Sequence, residues 1–342
     1  MTMLKPRDVE FDLLDRATVE AVVSQYDVGE LLRIDSLVIY GDNVLNLLER
    51  SQTSRKMALS CDRGRYFLKQ VPWYCESRAQ RRFSAGLAEY LSSAGIPAPR
   101  VLLTTRGEQY AQVDGAWYTL HELLMGETYS FKSGQNLAAA ETLAYFHAAS
   151  AGFIPEPDAP TMSLQAVVAS HVELAMRVGS ERGDDVSPLA AACSHSLLSV
   201  STSALPRVPV HGDYIPWNLA FDGERNAVRA VYDFDNACMD SRLHDVGESI
   251  VAWSCLDYVG SSSELAHQPR TYIETELASA FLRAYDSVLP LSDCERGFLP
   301  AFVLGAWWEA VLLSYVKGEQ STEVFAALPV LVESVERWAD VL

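Results

Sequence analysis

The chain has 342 residues, with 49% hydrophobic and 21% charged side chains, enough to bury one bilobal core or two ordinary ones. Its 45 acidic against 27 basic side chains give a net charge of -18, a surface that repels nucleic acid and anionic membranes and attracts cations. The six cysteines (61, 75, 193, 238, 255 and 294) form no C-x-x-C pair or zinc spacing, so they read as reduced thiols.

The N-terminal "MTMLKPRDVEFDLLDR" carries acids and no apolar core segment, unlike a secretory signal. The spacing in "DRATVEAVVSQY" predicts a helix over 15–26, and "LLRIDSLVIY" predicts a strand over 31–40. "KMALSCDRGRYFLKQV" (56–71) predicts a hairpin turning at "CDRG". Phe67 and Lys69 would share one strand face, with Tyr66, Leu68 and Gln70 on the other. A helix follows over 76–95, then further strand in "IPAPRVLLT" and around the Asp-Gly turn of "EQYAQVDGAWYTLHELL".

After "MGETYS" the pattern turns helical, at 136–150 and again in "LQAVVASHVELAMRV", with a polar break at 182–188. The only strand-like material expected in this half is the run "LAFDGERNAVRAVYDFD". The most apolar run, 298–316, contains Pro300, Gly305 and Glu309 and reads as a buried helix rather than a membrane span. The organisation is α+β: a strand-rich unit over 1–122 with one long helix, and a mainly helical unit over 123–342 with a central hairpin. The expected compartment is the cytoplasm.

The chemistry concentrates in "PVHGDYIPWNLAFD" and "VYDFDNA". The hairpin brings Asn218, just before its first strand, beside Asp233, at the end of its second, with Asp213 on the loop leading in. Two carboxylates and an amide oxygen suit Mg²⁺, whereas His211 as the one nearby nitrogen does not suit zinc. A carboxylate beside such a metal can orient or deprotonate a hydroxyl.

"HGDYIPWN" followed by "YDFD" resembles the catalytic loop and metal motif of the aminoglycoside phosphotransferase, choline kinase and homoserine kinase group, which shares the protein-kinase-like fold. "AGIPAPRVLLTTRGEQY" and "LAYFHAASAGF" are similar to the homoserine-kinase-like branch. The resemblance implies ATP and Mg²⁺ as cofactors, Asp213 as catalytic base or hydroxyl positioner, and Asn218 and Asp233 as metal ligands. Asp235 stands where protein kinases have Gly, and either reaches the metal or serves the structure. Lys69 would hold the α- and β-phosphates, with Glu76 as its helix partner; at the usual place of that acid stand Gln80 and Ser84. Gly41, Asp42 and Asn43 would belong to a phosphate-covering loop, and backbone near Glu122 to Leu124 would take the adenine edge. His147 and His211 read as structural, Trp217 as packing, and Asp245 as a helix cap or a brace for the catalytic loop. Glu248 and Asp257 are candidate acceptor contacts.

The function so implied is an O-phosphotransferase acting on a hydroxyl of a small molecule, an antibiotic, an amino alcohol or a sugar-like metabolite, with the acidic charge of the chain mildly favouring a cationic acceptor. Two alternatives stand beside it: a dedicated Ser/Thr kinase of a precursor peptide, and an inactive nucleotide-binding pseudokinase. No nucleic-acid or membrane partner is expected, and the oligomeric state is open.

Overall fold

The computed structural model describes residues 14–35, 56–72, 75, 77–127, 129–130, 132–193, 201–259, 266–269, 272–316 and 328–340. Gly41, Asp42, Asn43 and Glu76, and the side chain of Asp257, lie outside the described residues.

Helix α1 (Arg16–Val23) is capped by Asp15, whose side chain accepts from the Thr18 amide at 2.8 Å. Strands β1 (Leu31–Asp35), β2 (Lys56–Cys61), β3 (Gly64–Gln70), β4 (Ala111–Val113) and β5 (Ala116–Glu122) form an antiparallel sheet in the order β1-β2-β3-β5-β4. The hairpin expected at 56–71 is β2–β3, with Lys56 opposite Lys69 and Ala58 opposite Phe67. Alternation splits its side chains as read from the sequence. Leu59 and Leu68 pack under α1 with Val19 and Val22, while Ala58 and Phe67 face the other way. The β4–β5 turn is the expected Asp-Gly pair, with φ of 50° at Asp114 and 82° at Gly115, as a tight hairpin requires.

"IPAPRVLLT" differs from expectation. Pro97 and Pro99 remove backbone donors, so it forms no regular strand. It runs along β5 through a bridge of Val101 to His121 and a bond from Leu102 N to Leu120 O of 2.8 Å.

Helix α2 (Arg78–Ser93) starts on a Ser77 cap and turns Phe83, Leu87 and Leu91 away from the sheet, into a core shared with the helical part. That part contains α3 (Ser133–Ser150), α4 (Leu164–Arg182), α5 (Ser187–Cys193), α6 (Leu243–Ser254), α7 (Thr275–Val288), α8 (Asp293–Val316) and α9 (Leu328–Ala339). α8 is long and apolar enough to cross a membrane, but two thirds of its apolar window, 67%, is buried inside the protein, including Trp307, Trp308 and Leu312.

Between the helices lies the expected hairpin, β7 (Leu219–Phe221) with β8 (Val228–Val231). It is not the only strand pair in this half. β6 (Val208–Val210) pairs with β9 (Cys238–Asp240), and β10 (Leu256–Val259) with β11 (Ala266–Pro269). Three- and four-residue strands are too short for alternation to stand out in the sequence. β6 and β9 fix the two ends of the segment 211–237, and so frame the site. All six cysteines are unpaired, as expected, and all but Cys294 are buried.

Candidate active site

The loop 211–214 hangs from α6. Asp245, fully buried, accepts from the backbone amides of His211 (2.7 Å) and Gly212 (2.8 Å). Its Oδ2 also lies 3.0 Å from His147 Nε2, and the other His147 nitrogen meets the Tyr285 hydroxyl at 2.8 Å. One helix turn on, Glu248 Oε2 accepts from Tyr214 N at 3.0 Å, and the Ser249 hydroxyl donates to Tyr214 O at 3.0 Å. His211 Nε2 donates to Tyr232 O at 2.8 Å, which ties the loop to the end of β8. Gly212 has φ of +71°, and a Cβ there would lie 2.5 Å from Asn236 O, so neither the backbone nor the space admits another residue. Burial opposes charge on Asp245, but His147 and its neighbours outweigh it and hold the carboxyl below its ordinary range.

That frame presents Asp213, Asn218 and Asp233 together, as the spacing predicted. Asn218 Nδ2 donates to Asp213 Oδ2 at 2.7 Å and to the Asp213 carbonyl at 2.9 Å, so Oδ1 is the atom able to meet a cation. Tyr232 N donates to Asn218 O at 2.8 Å, which sets Asp233 beside Asn218 across the hairpin mouth. The Asp213 carboxyl is pushed up to about 7, first by burial and then by the Asp233 charge, with Glu309 adding to the effect. Glu248 is raised well above its usual range by burial, by Asp213 and by Glu309. Glu309, in the middle of α8, is a site residue that the sequence offered only as a break in an apolar run.

The metal-motif side is built of paired charges. Lys69 Nζ lies 2.5 Å from Asp233 Oδ1 and 2.6 Å from Asp235 Oδ2; Lys56 Nζ lies 2.7 Å from Asp233 Oδ2. Both lysines are buried, with side chains 6% and 5% exposed. Asp233 itself sits at φ 68°, ψ 61°, a left-handed conformation that costs a non-glycine residue about 1–2 kcal/mol and that the two ammonium contacts offset. Burial raises the Asp233 pKa, and Lys56 and Lys69 overcome that and hold it well below the carboxylate range. Asp235 moves the other way, raised first by burial despite its contact with Lys69.

Lys69 therefore takes its acid partners from the metal motif. Gln80 of α2 occupies the place where the resemblance puts a glutamate. Its Nε2 donates to the carbonyls of Asp235 and Ala237, each at 2.8 Å. The helix grips the backbone of the turn, while the turn supplies the charge. Lys56 was missed from sequence, and Gln80 was noted only as standing where the acid is usual. Lys56 opens a β-prone run and looks like any strand-end lysine, and Gln80 shows its role only once α2 is docked.

The expected adenine contacts are engaged within the chain. Glu122 N donates to Arg100 O at 3.0 Å and Leu123 N to Arg65 O at 3.3 Å, while the Tyr232 hydroxyl donates to Leu124 O. Beneath them Ala58, Phe67, Leu123, Ala220, Ala230 and Tyr232 form a small apolar cluster between sheet and hairpin. The Phe67 and Tyr232 ring centroids are 5.8 Å apart. A pocket does open behind Lys69, lined by Arg81, Tyr110, Thr119, His121 and Asp235 among others.

Among the described residues no three His, Cys, Asp or Glu side chains converge as a ready-made cation site. The donor set at the hairpin mouth is nonetheless all oxygen, and two ammonium groups already stand against Asp233. That chemistry fits a hard divalent cation carried in with phosphates.

The sequence profile of the phosphotransferase enzyme family matches residues 45–292. The chain belongs to that family. It is 26% identical over 297 residues to a homoserine kinase of Gluconobacter oxydans, covering 84% of each chain. To a homoserine kinase of Pseudomonas aeruginosa it is 25% identical over 326 residues, covering 94% of this chain and 92% of the other. Among solved structures it is similar to a microcompartment-associated aminopropanol kinase, with a TM-score of 0.63, 14% identity, and 96% and 98% of the two chains covered. A choline kinase from Cryptosporidium parvum gives a TM-score of 0.58 at 14% identity, covering 86% and 88%. The fold is therefore protein-kinase-like, and the chain is a phosphotransferase of the kinase type with an alcohol as acceptor.

Proposed function

We propose that this phosphotransferase moves the γ-phosphoryl group of ATP, with Mg²⁺, to the hydroxyl of a small amino alcohol. A convergence of negative charge is the observation that carries the acceptor class: Glu248 is raised by burial, Asp213 and Glu309, and Asp213 by burial, Asp233 and Glu309. An acceptor bearing an ammonium group relieves that repulsion, and a neutral alcohol does not. The peptide alternative has no comparable observation behind it.

Asn218 and Asp233 are the residues that would hold Mg²⁺, with Asp235 within reach of the same turn. When bound, the cation neutralises phosphate charge and holds the phosphates in line for transfer. The remaining work falls to the chain's own groups. Asp213, fixed by Asn218 and by the loop's hold on α6, orients the acceptor hydroxyl and takes its proton. A carboxyl poised near neutrality is suited to that exchange. Lys69 offsets charge on the nucleotide. Glu248 has Oε2 committed to Tyr214 N and turns its other oxygen to the acceptor cation.

The test is phosphoryl transfer from labelled ATP to a panel of amino alcohols, matched neutral alcohols, homoserine and a basic peptide. Amino alcohols are expected to have the highest kcat/KM. Glu309→Gln and Glu248→Gln should each raise acceptor KM by about 10-fold, in line with loss of a charge-assisted contact, while leaving ATP KM unchanged. Equal use of neutral alcohols, or preferred transfer to the peptide, would refute the reading.

A further inference from the structure

Within the metal-motif cluster Lys69 has a counterpart in the phosphotransferase reading, but Lys56 does not. We propose that Lys56 is a second phosphate-binding lysine, which exchanges Asp233 for a nucleotide phosphate when nucleotide enters. The inference rests on the ATP reading above and extends it to a residue on a different strand.

Three observations support it. Lys56 on β2 lies directly opposite Lys69 on β3, so the two side chains leave the sheet side by side on one face. Both reach the same carboxylate, one to each oxygen, at 2.7 and 2.5 Å. Both are buried, with Lys56 8% and Lys69 5% exposed, so neither ammonium can turn to bulk water when its partner is taken.

The exchange follows from charge. Two lysines face two carboxylates, Asp233 and Asp235, and the set is balanced as it stands. A divalent cation on Asp233 competes with both ammonium groups for the same oxygens. Asp235 lies 2.6 Å from Lys69 and can retain it, which leaves Lys56 to find a new anion. The anion that arrives with the cation is the polyphosphate. A lone buried ammonium would cost several times what a phosphate contact returns, so Lys56 and the nucleotide bind as a unit. The effect is a second fixed positive charge on the phosphates, supplied from the strand neighbouring that of Lys69.

Calorimetric titration of the full chain with ATP, ADP and AMP, each with and without Mg²⁺, tests this without relying on turnover. Lys56→Met is expected to weaken ATP and ADP by about 10- to 100-fold, the range for one charge-assisted contact, and AMP by less than about 3-fold. Lys56→Arg should recover most of the loss, and thermal melts of both variants report whether the fold is intact. If Lys56→Met is poorly folded, the ATP-to-AMP affinity ratio of Lys56→Arg against Lys56→Gln decides. A Lys56 that merely holds Asp233 would leave the Mg²⁺-ATP and Mg²⁺-ADP affinities of Lys56→Met unaltered, or weaken all three nucleotides equally, and either result overturns the proposal. Failure of the unaltered protein to bind ATP would instead refute the reading on which it rests.

Discussion

Two aspartates stand at opposite sides of the loop 211–214 and are held in opposite ways. Asp245 is bound by backbone amides and a histidine, all from the helical part of the chain. Asp233 is bound by two lysine ammonium groups reaching across from the sheet. The first set of bonds has no reason to change during a reaction cycle, since every donor is fixed in a core that turns over no ligand. The second set consists of ammonium groups on long side chains, which a metal ion and a polyphosphate can replace one for one. The same residue type thus serves as a permanent brace in one place and as an exchangeable contact in the other, and the identity of the donors makes the difference.

The comparison is broken most severely at Asp233. Asp233→Ala removes the shared partner of two buried lysines, and a loss of turnover of at least about 10⁴-fold is expected, together with disappearance of the Mg²⁺-dependent rise in Tm on adding ATP. Asp213→Asn tests whether the loop's cargo is separable from both holds. Turnover should fall by about 10²–10⁴-fold, with ATP affinity within about 3-fold of the unaltered protein by calorimetry. Retained turnover would remove Asp213 from the reaction. At the brace, Asp245→Asn should cost about 2–4 kcal/mol in urea unfolding, because two amide donors and a histidine lose a charged acceptor in the core. Its effect on kcat should follow the stability loss rather than exceed it.

Acid sharpens the contrast from the helical side. Glu295, paired with Arg242 at 2.6 Å, is shifted from 4.5 to about 2; burial opposes the shift, and the Arg242 and Ser292 hydrogen bonds outweigh it. Its folded-state pKa lies below its unfolded one, so its contribution is complete above about pH 4.5 and is lost as pH falls through about 2. Glu295→Gln should flatten that part of the unfolding profile. The smallest expected effect is at the adenine side. Tyr232→Phe frees the Leu124 carbonyl of its hydroxyl donor, and ATP affinity should rise by about 2- to 10-fold, the worth of one neutral hydrogen bond.

The sequence made the local parts of the site legible and left its long-range contacts hidden. Asp213, Asn218 and Asp233 were readable because the hairpin between them is local, and a turn with short strands brings fixed spacings together. The β2–β3 hairpin and its Lys69 face were readable for the same reason. What escaped depends on contacts between distant segments. Lys56 meets Asp233 across 177 positions, and Gln80 meets Asp235 across 155, and no periodicity encodes either. The expected acid partner of Lys69, Glu76, lies outside the described residues, while Asp233 and Asp235 stand against Lys69 from the turn. Glu309 was visible only as an oddity, a charge within an apolar helix, until the fold brought its charge to bear on Asp213 and Glu248.

The opposition of Lys56 and Lys69 across neighbouring strands has a kinetic consequence. Like charges facing each other on a sheet repel, so the two lysines stay buried only while the aspartates across the cleft are in reach. Taking Asp233 from Lys56 leaves that buried ammonium without its counter-charge, so cation and nucleotide have to arrive together for the exchange to proceed, and the rate of nucleotide binding is expected to depend on Mg²⁺ concentration as well as on nucleotide.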